Sequence, residues 1–178
     1  MENPTVLMNA EKMARTLDRI AFQILEKRGA SPDLALIGIQ RRGADLAVRI
    51  AAILSKQMQR EIPCGALDIT LYRDDWTSVS VRPTVGPTKI SFPIQGRDLI
   101  LVDDVLFTTR TVRAAMEALL DFGRPRRVEL LVLVDRGHHE LPIHADYIGR
   151  SVNTARDERV DVLFAERDGI DEVRLMRR

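Results

Sequence analysis

The string Leu99-Ile100-Leu101-Val102-Asp103-Asp104-Val105-Leu106-Phe107-Thr108-Thr109-Arg110-Thr111 carries the densest chemistry in the sequence. Two adjacent carboxylates cap an apolar strand, and three threonines then surround a tight turn that opens a helix. The first turn of a helix has N–H groups without intrahelical partners and the positive end of its dipole, so the turn favours a phosphate. Threonine hydroxyls add donors. Two carboxylates beside that phosphate would repel it unless they face vicinal hydroxyls or a Mg²⁺ held by oxygen ligands. A phosphorylated sugar satisfies both halves.

Arg41, Arg42 and Arg136 each follow another predicted core strand. Ligands of open α/β sheets bind outside the carboxyl ends of the strands, so these arginines converge with Asp103 and Asp104 on one rim. Rival motifs are absent: the sequence contains no G-x-x-x-x-G-K-[ST] and no G-x-G-x-x-G. His139-Glu140 followed by His144 resembles a zinc helix superficially. The second histidine is one residue too far, however, and Pro142 would disrupt the helix. No metal site built from protein ligands is expected.

The elements that must hold these residues follow from hydrophobic period. Met13, Leu17, Ile20 and Ile24 recur at helical spacing between Asn9, a good N-cap, and Gly29, a plausible stop. Leu34–Ile39 is a continuous apolar run, as expected of a parallel strand buried on both faces. Ala44–Met58 is helical again, and a second strand is expected over Gly65–Leu71. Tyr72–Lys89 breaks every period and is longer than ordinary connections, so it reads as either a mobile or a functional loop, with Trp76 as its anchor. Asp98–Val102, the helix Thr111–Phe122 and the strand Val128–Val134 repeat the strand–helix–strand order. Beyond Gly137, the short pieces His138–Ala145, Asp146–Gly149, Val160–Phe164 and Val173–Leu175 suggest a small antiparallel cap.

Composition bounds the rest. A chain of 178 residues with 45% hydrophobic and 30% charged residues reads as one globular domain over 1–178. The formal net charge of +1 rules out a uniformly basic nucleic-acid coat, so any polyanion site must be a local patch. There are four lysines against 23 arginines, the side chain whose planar fork suits phosphate oxygens. One cysteine, Cys64, allows no intrachain disulfide, and no apolar run reaches membrane-spanning length, so a cytoplasmic protein is expected. The start MENPTVLMNAEK has no basic stretch followed by an apolar one, and is expected to belong to the folded product.

The string Leu99–Thr111 resembles the phosphoribosyl pyrophosphate (PRPP) motif of type I phosphoribosyltransferases. Further stretches are similar to the branch of that family that joins uracil phosphoribosyl transfer to attenuation of the pyrimidine operon. They are Gly38-Ile39-Gln40-Arg41-Arg42-Gly43, Asp68–Asp75, Gly123-Arg124-Pro125, Val134–His138 and Glu140–Ile143, so the resemblance spans nearly the whole chain. It implies an α/β fold of the type I phosphoribosyltransferase kind: a central parallel sheet flanked by helices, with a small antiparallel hood drawn from the N- and C-terminal segments. Asp103 and Asp104 would hold the ribose hydroxyls and serve as the catalytic pair, while Val105, Leu106, Phe107, Thr108, Thr109, Arg110 and Thr111 wrap the 5′-phosphate. Arg41 and Arg42 would form the pyrophosphate loop, often with a non-proline cis peptide in this family. Tyr72–Lys89 would be the lid. Arg136 and the backbone at Val160 would face uracil. The implied reaction converts uracil and PRPP into UMP and pyrophosphate, with Mg²⁺ accompanying PRPP.

The resemblance further implies a homodimer or tetramer that binds leader mRNA when UMP or UTP is bound, with Arg15, Arg19, His138 and Arg150 as candidates for the RNA face. Two departures stand out. Thr109 occupies a position where the family has glycine, which permits positive φ and close phosphate approach, so turnover is expected to be weakened. His139 and His144 stand where arginines are expected, and Phe22 interrupts the polar face of the first helix, so RNA affinity is expected to be lower and more pH-sensitive. A salvage enzyme without an RNA role, or a catalytically weak sensor of UMP or PRPP, are the alternatives.

Overall fold

Residues 4–29, 31–73 and 87–177 are described by the computed structural model of the chain. Residues Leu34–Ile39 form β2, buried along its whole length, and Asp98–Leu106 and Arg127–Asp135 form β4 and β5, equally apolar through their centres. Uninterrupted runs of this kind suit a sheet covered on both faces. With β3 (Cys64–Leu67) and β6 (Tyr147–Ser151) they make a five-stranded, all-parallel sheet in the order β3-β2-β4-β5-β6.

Side chains alternate across each strand, so the sheet feeds two apolar layers. Leu34, Leu36, Ile100, Val102, Leu131 and Leu133 pack against α1 (Ala10–Arg28) and α2 (Arg42–Met58). Ala35, Ile37, Leu99, Leu101, Leu130 and Val132 pack against α3 (Arg110–Leu120). The Asn9 side chain accepts the Lys12 N–H at 2.9 Å to start α1, and Gly29 at φ 56° ends it, both as the spacing predicts.

A second sheet, antiparallel and three-stranded, has the order β1-β8-β7 and joins Thr5–Met8, Glu172–Met176 and Arg159–Leu163. The short helix α4 (Ala165–Asp168) links β7 to β8. This is the hood. Its Val160, Val162, Phe164 and Val173 join the core layer of α1 and α2.

Several expected boundaries move. The stretch Asp146–Gly149 belongs to the parallel sheet, since β6 pairs with β5 in parallel register from Leu131↔Tyr147 onward, and is not part of the cap. His138–Ala145 is irregular rather than a strand. The second strand stops at Leu67, because the Asp68 side chain accepts the Thr70 N–H at 2.8 Å and turns the chain into a 3₁₀ helix at Thr70–Tyr72. Of the expected lid Tyr72–Lys89, residues 74–86, including Trp76, lie outside the described residues; Lys89 at its far end pairs with the edge strand through both backbone bonds to Ala66, at 2.9 and 2.7 Å.

The strand order defines the position of a ligand. From β2 the chain crosses to β3 on one side, whereas β4, β5 and β6 build outward on the other. The crevice between the carboxyl ends of β2 and β4 is therefore the topological switch point.

Candidate active site

β4 continues to Leu106, so Asp103 and Asp104 are residues of the strand itself and not of the turn after it. Strand alternation then sends them to different faces of the sheet. Asp103 faces the α3 layer and lines a cleft of 260 Å³ with Arg73 and the bend Val105–Thr109. Asp104 faces the hood layer and lines a cleft of 240 Å³ with Arg42 and the β7 strand Arg159–Leu163. Val105 lines both, so the two clefts adjoin over the end of β4, with one acid in each.

The acids remain close enough to influence each other. The Asp104 N–H donates to Asp103 Oδ1 at 3.0 Å. Burial, and secondarily the neighbouring Asp104 carboxylate, pushes the Asp103 carboxyl well above the usual carboxylate range. Asp104 is also pushed up by burial, against the opposing pull of hydrogen bonds from Asp103 and the backbone and of the Arg42 charge. A buried carboxylate beside a second, partly buried one binds a proton or a cation more readily than it would alone. Among the described residues no group of three or more His, Cys, Asp or Glu is placed to hold a metal ion. The oxygen chemistry of the pair suits Mg²⁺, with a bound ligand supplying the other oxygens.

At the bend, Thr109 adopts φ 71°, the left-handed conformation that glycine tolerates and a β-branched residue rarely takes. The residue is buried, and surrounding contacts fix it. Its hydroxyl donates to the Thr108 carbonyl and accepts the Leu141 N–H at 3.2 Å. The Glu140 N–H donates to the Thr108 carbonyl at 3.1 Å. The irregular segment 138–145 is thus strapped to the bend. Arg113 N–H makes the first helical bond of α3, to Thr109 O at 3.0 Å, so the N–H groups before it face the cleft side of the helix start without helical partners.

On the other flank of the switch point, the Gln40–Arg41 peptide is cis. Arg41 is the exposed N-cap residue of α2 and Arg42 its first residue. Two glycines permit the approach of this turn: a Cβ on Gly38 would lie 2.4 Å from the Gly43 carbonyl oxygen, and one on Gly43 would lie 2.5 Å from that of Val102. The start of α2 therefore sits directly against the end of β4.

The structure gathers Arg42, Asp104, Val105 and Val160 around one cleft and Asp103, Val105, Leu106, Phe107, Thr108, Thr109 and Thr111 around the other. Arg110 is exposed and donates to Glu140 Oε2 at 2.7 Å, and it lines neither cleft. Arg136 is buried beside them: it lies 4.0 Å over the Phe107 ring and donates to Thr154 Oγ1 at 3.2 Å and Ala155 O at 3.1 Å. Burial lowers its pKa. It holds Phe107 and the segment entering β7 in place and lines neither cleft. Sequence reasoning missed Arg73, which follows a predicted strand like the other candidates, and the β7 neighbours of Val160. It also missed Asp168 of α4, which bonds Arg42 and carries no sequence signal.

Of the residues expected on an RNA face, Arg15 is exposed and pairs with Glu11 at 3.5 Å. Arg19 donates to Gly149 O at 2.5 Å, and Arg150 donates to Leu7 O, so both tie β6 to neighbouring elements. His138 bonds Thr154 O at 2.7 Å beside Phe107 and stands with the active-site rim. His139 pairs with Asp135 at 2.9 Å, with the His144 ring edge-on to it.

A parallel sheet with acids at its switch point, a threonine-lined bend opening a helix and a hood over the strand ends defines the phosphoribosyltransferase class. Residues 5–163 match the family model for the phosphoribosyl transferase domain. Among solved structures, the chain is similar to the hypoxanthine phosphoribosyltransferase of Trypanosoma cruzi, with a TM-score of 0.71, 16% identity and coverage of 97% of this chain and 96% of that one. Among curated proteins, it is 54% identical to the bifunctional protein PyrR of Thermus thermophilus over 97% of this chain and 95% of the relative. It is also 49% identical to that of Syntrophobacter fumaroxidans, over 94% and 90%. The chain belongs to the PyrR family of phosphoribosyltransferases.

Proposed function

We propose that the chain transfers the phosphoribosyl group of PRPP to uracil, giving UMP and pyrophosphate, and that it also binds leader mRNA in response to uridine nucleotides to attenuate the pyrimidine operon. The observation that supports the transfer reaction most directly is the pair of adjoining clefts over the end of β4. One has a phosphate-seeking bend and the other a hood, with an acid in each. A sugar carrying a 5′-phosphate and a 1′-pyrophosphate spans that arrangement, with its phosphate in the bend and its C1′ toward the hood.

In this reading the first-turn N–H groups of α3 and the Thr108 and Thr111 hydroxyls bind the 5′-phosphate. Asp103 and Asp104 orient the ribose through its hydroxyls and favour the positive charge that develops at C1′ as the C1′–O bond to pyrophosphate breaks. The new bond joins C1′ to uracil nitrogen, with loss of the ring N–H proton. Arg41 and Arg42 pair with the diphosphate, whose charge is already present in the bound substrate. The hood at Val160 excludes water from the base. Asp103 and Asp104 would face a Mg²⁺ brought in with PRPP, which would supply charge neutralisation to the diphosphate. Positioning supplies more of the acceleration than any single acid or base.

The test is pyrophosphate release from PRPP and Mg²⁺ with a panel of bases. Uracil is expected to support turnover and purines are not; an absence of release with every base refutes the transfer reading. The second reading, a sensor that binds PRPP or UMP with little turnover, is favoured by the β-branched Thr109 at φ 71°. It predicts calorimetric binding of PRPP without pyrophosphate release. Arg15, Arg19, His138 and Arg150 are the proposed RNA contacts, on a homodimer or tetramer in the cytoplasm. No helix among the described residues is long and apolar enough to cross a membrane.

A further inference from the structure

The hood meets α2 through a ladder of ion pairs of alternating polarity. Residues 42, 45 and 49 lie on one face of α2 at helical spacing. Arg42 Nη2 donates to Asp168 Oδ1 at 2.8 Å. One turn on, Asp45 receives Arg167 Nε at 2.8 Å. A further turn on, Arg49 reaches Glu166 at 2.5 Å and Asp171 at 2.7 Å. Three rungs therefore fasten α4 and its flanks to the helix whose first turn forms the switch point.

The first rung differs from the others in where it stands. Arg42 lines the cleft that also contains Asp104 and the β7 strand, whereas Asp45 and Arg167 do not line it. Asp168 is held at both carboxylate oxygens: Oδ2 accepts the Phe164 N–H at 2.9 Å, which fixes the carboxylate to the hood backbone, and Oδ1 holds Arg42. The Arg42 Nε atom is buried and has no hydrogen-bond partner among the described residues. A buried guanidinium donor left unbonded is costly unless an acceptor arrives to meet it. An oxygen of a bound anion in the cleft is such an acceptor.

We infer that Asp168 is a positioning residue: it holds the Arg42 guanidinium over the cleft, so that its free Nε–H meets a diphosphate oxygen of the incoming substrate and hood seating is coupled to pyrophosphate binding. This rests on the phosphoribosyl-transfer reading above and deepens it. The aspartate touches no reacting atom. It sets the direction of a side chain that otherwise has many rotamers, and the gain comes from ordering Arg42 before the ligand arrives. Because the interaction is made equally in ground and transition states, it acts on substrate affinity and leaves the chemical step alone.

The experiment measures the dissociation constant of PRPP with Mg²⁺ by calorimetry, and kcat and KM with uracil, for the full chain and five variants. Asp168→Asn is expected to weaken PRPP binding by about tenfold, with kcat changed by less than about twofold, as for loss of an ordered, partly buried charge contact. Asp168→Glu keeps the charge and recovers most of the affinity. Asp45→Asn breaks the adjacent rung of the same hood contact and is expected to leave PRPP affinity unchanged. Arg42→Ala weakens PRPP, and adding Asp168→Asn to it causes no further loss. Equal weakening by Asp45→Asn and Asp168→Asn, or additive losses in the double variant, overturns the inference and reduces Asp168 to a hood fastener. If the unaltered chain fails to bind PRPP, the underlying reading falls and takes this inference with it. Binding by the unaltered chain with the two aspartate variants alike defeats this inference alone.

Discussion

At the residue scale, the acids of β4 pay in stability for their chemistry. Burial raises the Asp103 carboxyl well above its ordinary value, so the folded state holds the proton more tightly than the unfolded one. The folded state therefore loses stability as pH rises from the ordinary carboxylate range through the raised value, and the ionised group is a liability above it. Asp103→Asn is expected to raise the ligand-free thermal midpoint at pH 8 by about 2–4 °C for each kcal/mol relieved. The gain should shrink below pH 4 as both states become protonated, and PRPP binding should fall; thermal scans across pH measure it. Thr109 presents a related conflict. Thr109→Gly relieves a left-handed β-branched residue, worth about 1–2 kcal/mol, but removes the hydroxyl that accepts the Leu141 N–H, worth about 1 kcal/mol. Stability should change little, whereas the bend gains room for a phosphate. Calorimetry should show tighter PRPP binding, and an unchanged or weaker constant would contradict this. The sequence disclosed both residues, because an acid pair and a missing glycine are anomalies of residue type. It could not disclose that Arg136 turns onto Phe107 and the β7 approach, since a position after a strand does not determine where a long side chain points.

At the scale of elements, the switch point depends on close approach of α2 to β4. Gly43 has its missing Cβ 2.5 Å from the Val102 carbonyl oxygen, backbone that cannot yield as a side chain can. Gly43→Ala is expected to push the start of α2 away, costing about 1–3 kcal/mol of stability and weakening PRPP at least tenfold. Denaturant unfolding and calorimetry report the two effects separately. The core strands and their helices were legible because β2 is apolar throughout, β4 and β5 are apolar through their centres, and their helices keep a clear period. Edge elements were not. β6 is five residues long and only partly buried beyond Tyr147, so it reads like the other short pieces of the cap, although its backbone pairs in parallel with β5. β1 is four residues long with one buried side chain, and only its partner β8 makes it a strand. The extension of β4 past the acids was hidden because Asp103 and Asp104 break the apolar run while the ladder to β5 continues.

At the scale of the whole molecule, the layers are joined by buried charge as well as by apolar packing. Glu129 of β5 is buried, accepts Tyr147 Oη–H of β6 at 2.8 Å and Arg28 Nε of α1 at 2.8 Å, and pairs with Lys27 at 3.0 Å. Glu129→Ala leaves Arg28 and Tyr147 without this acceptor, while Lys27 keeps Asp146 at 3.1 Å, and it is expected to cost about 3 kcal/mol without altering kcat in the fraction that remains folded, which urea titration and activity per folded molecule would show. RNA binding belongs to this scale too. With Arg15, Arg19 and Arg150 charged, one chain should show a slope of about −2 in log affinity against log salt, steeper for an oligomer that shares the face. A salt-independent affinity would dismiss those residues as contacts. The hood carries a last consequence. Its sheet lays Thr5 beside Leu175 and Val160 beside Leu175 as well, so its central strand comes later in the chain than every strand of the parallel sheet. During synthesis from the N-terminus the acid-bearing floor can assemble first, and the roof of β1, β8 and β7 waits for β8. A nascent molecule would thus complete the end of β4, with both acids, before the sheet that covers it.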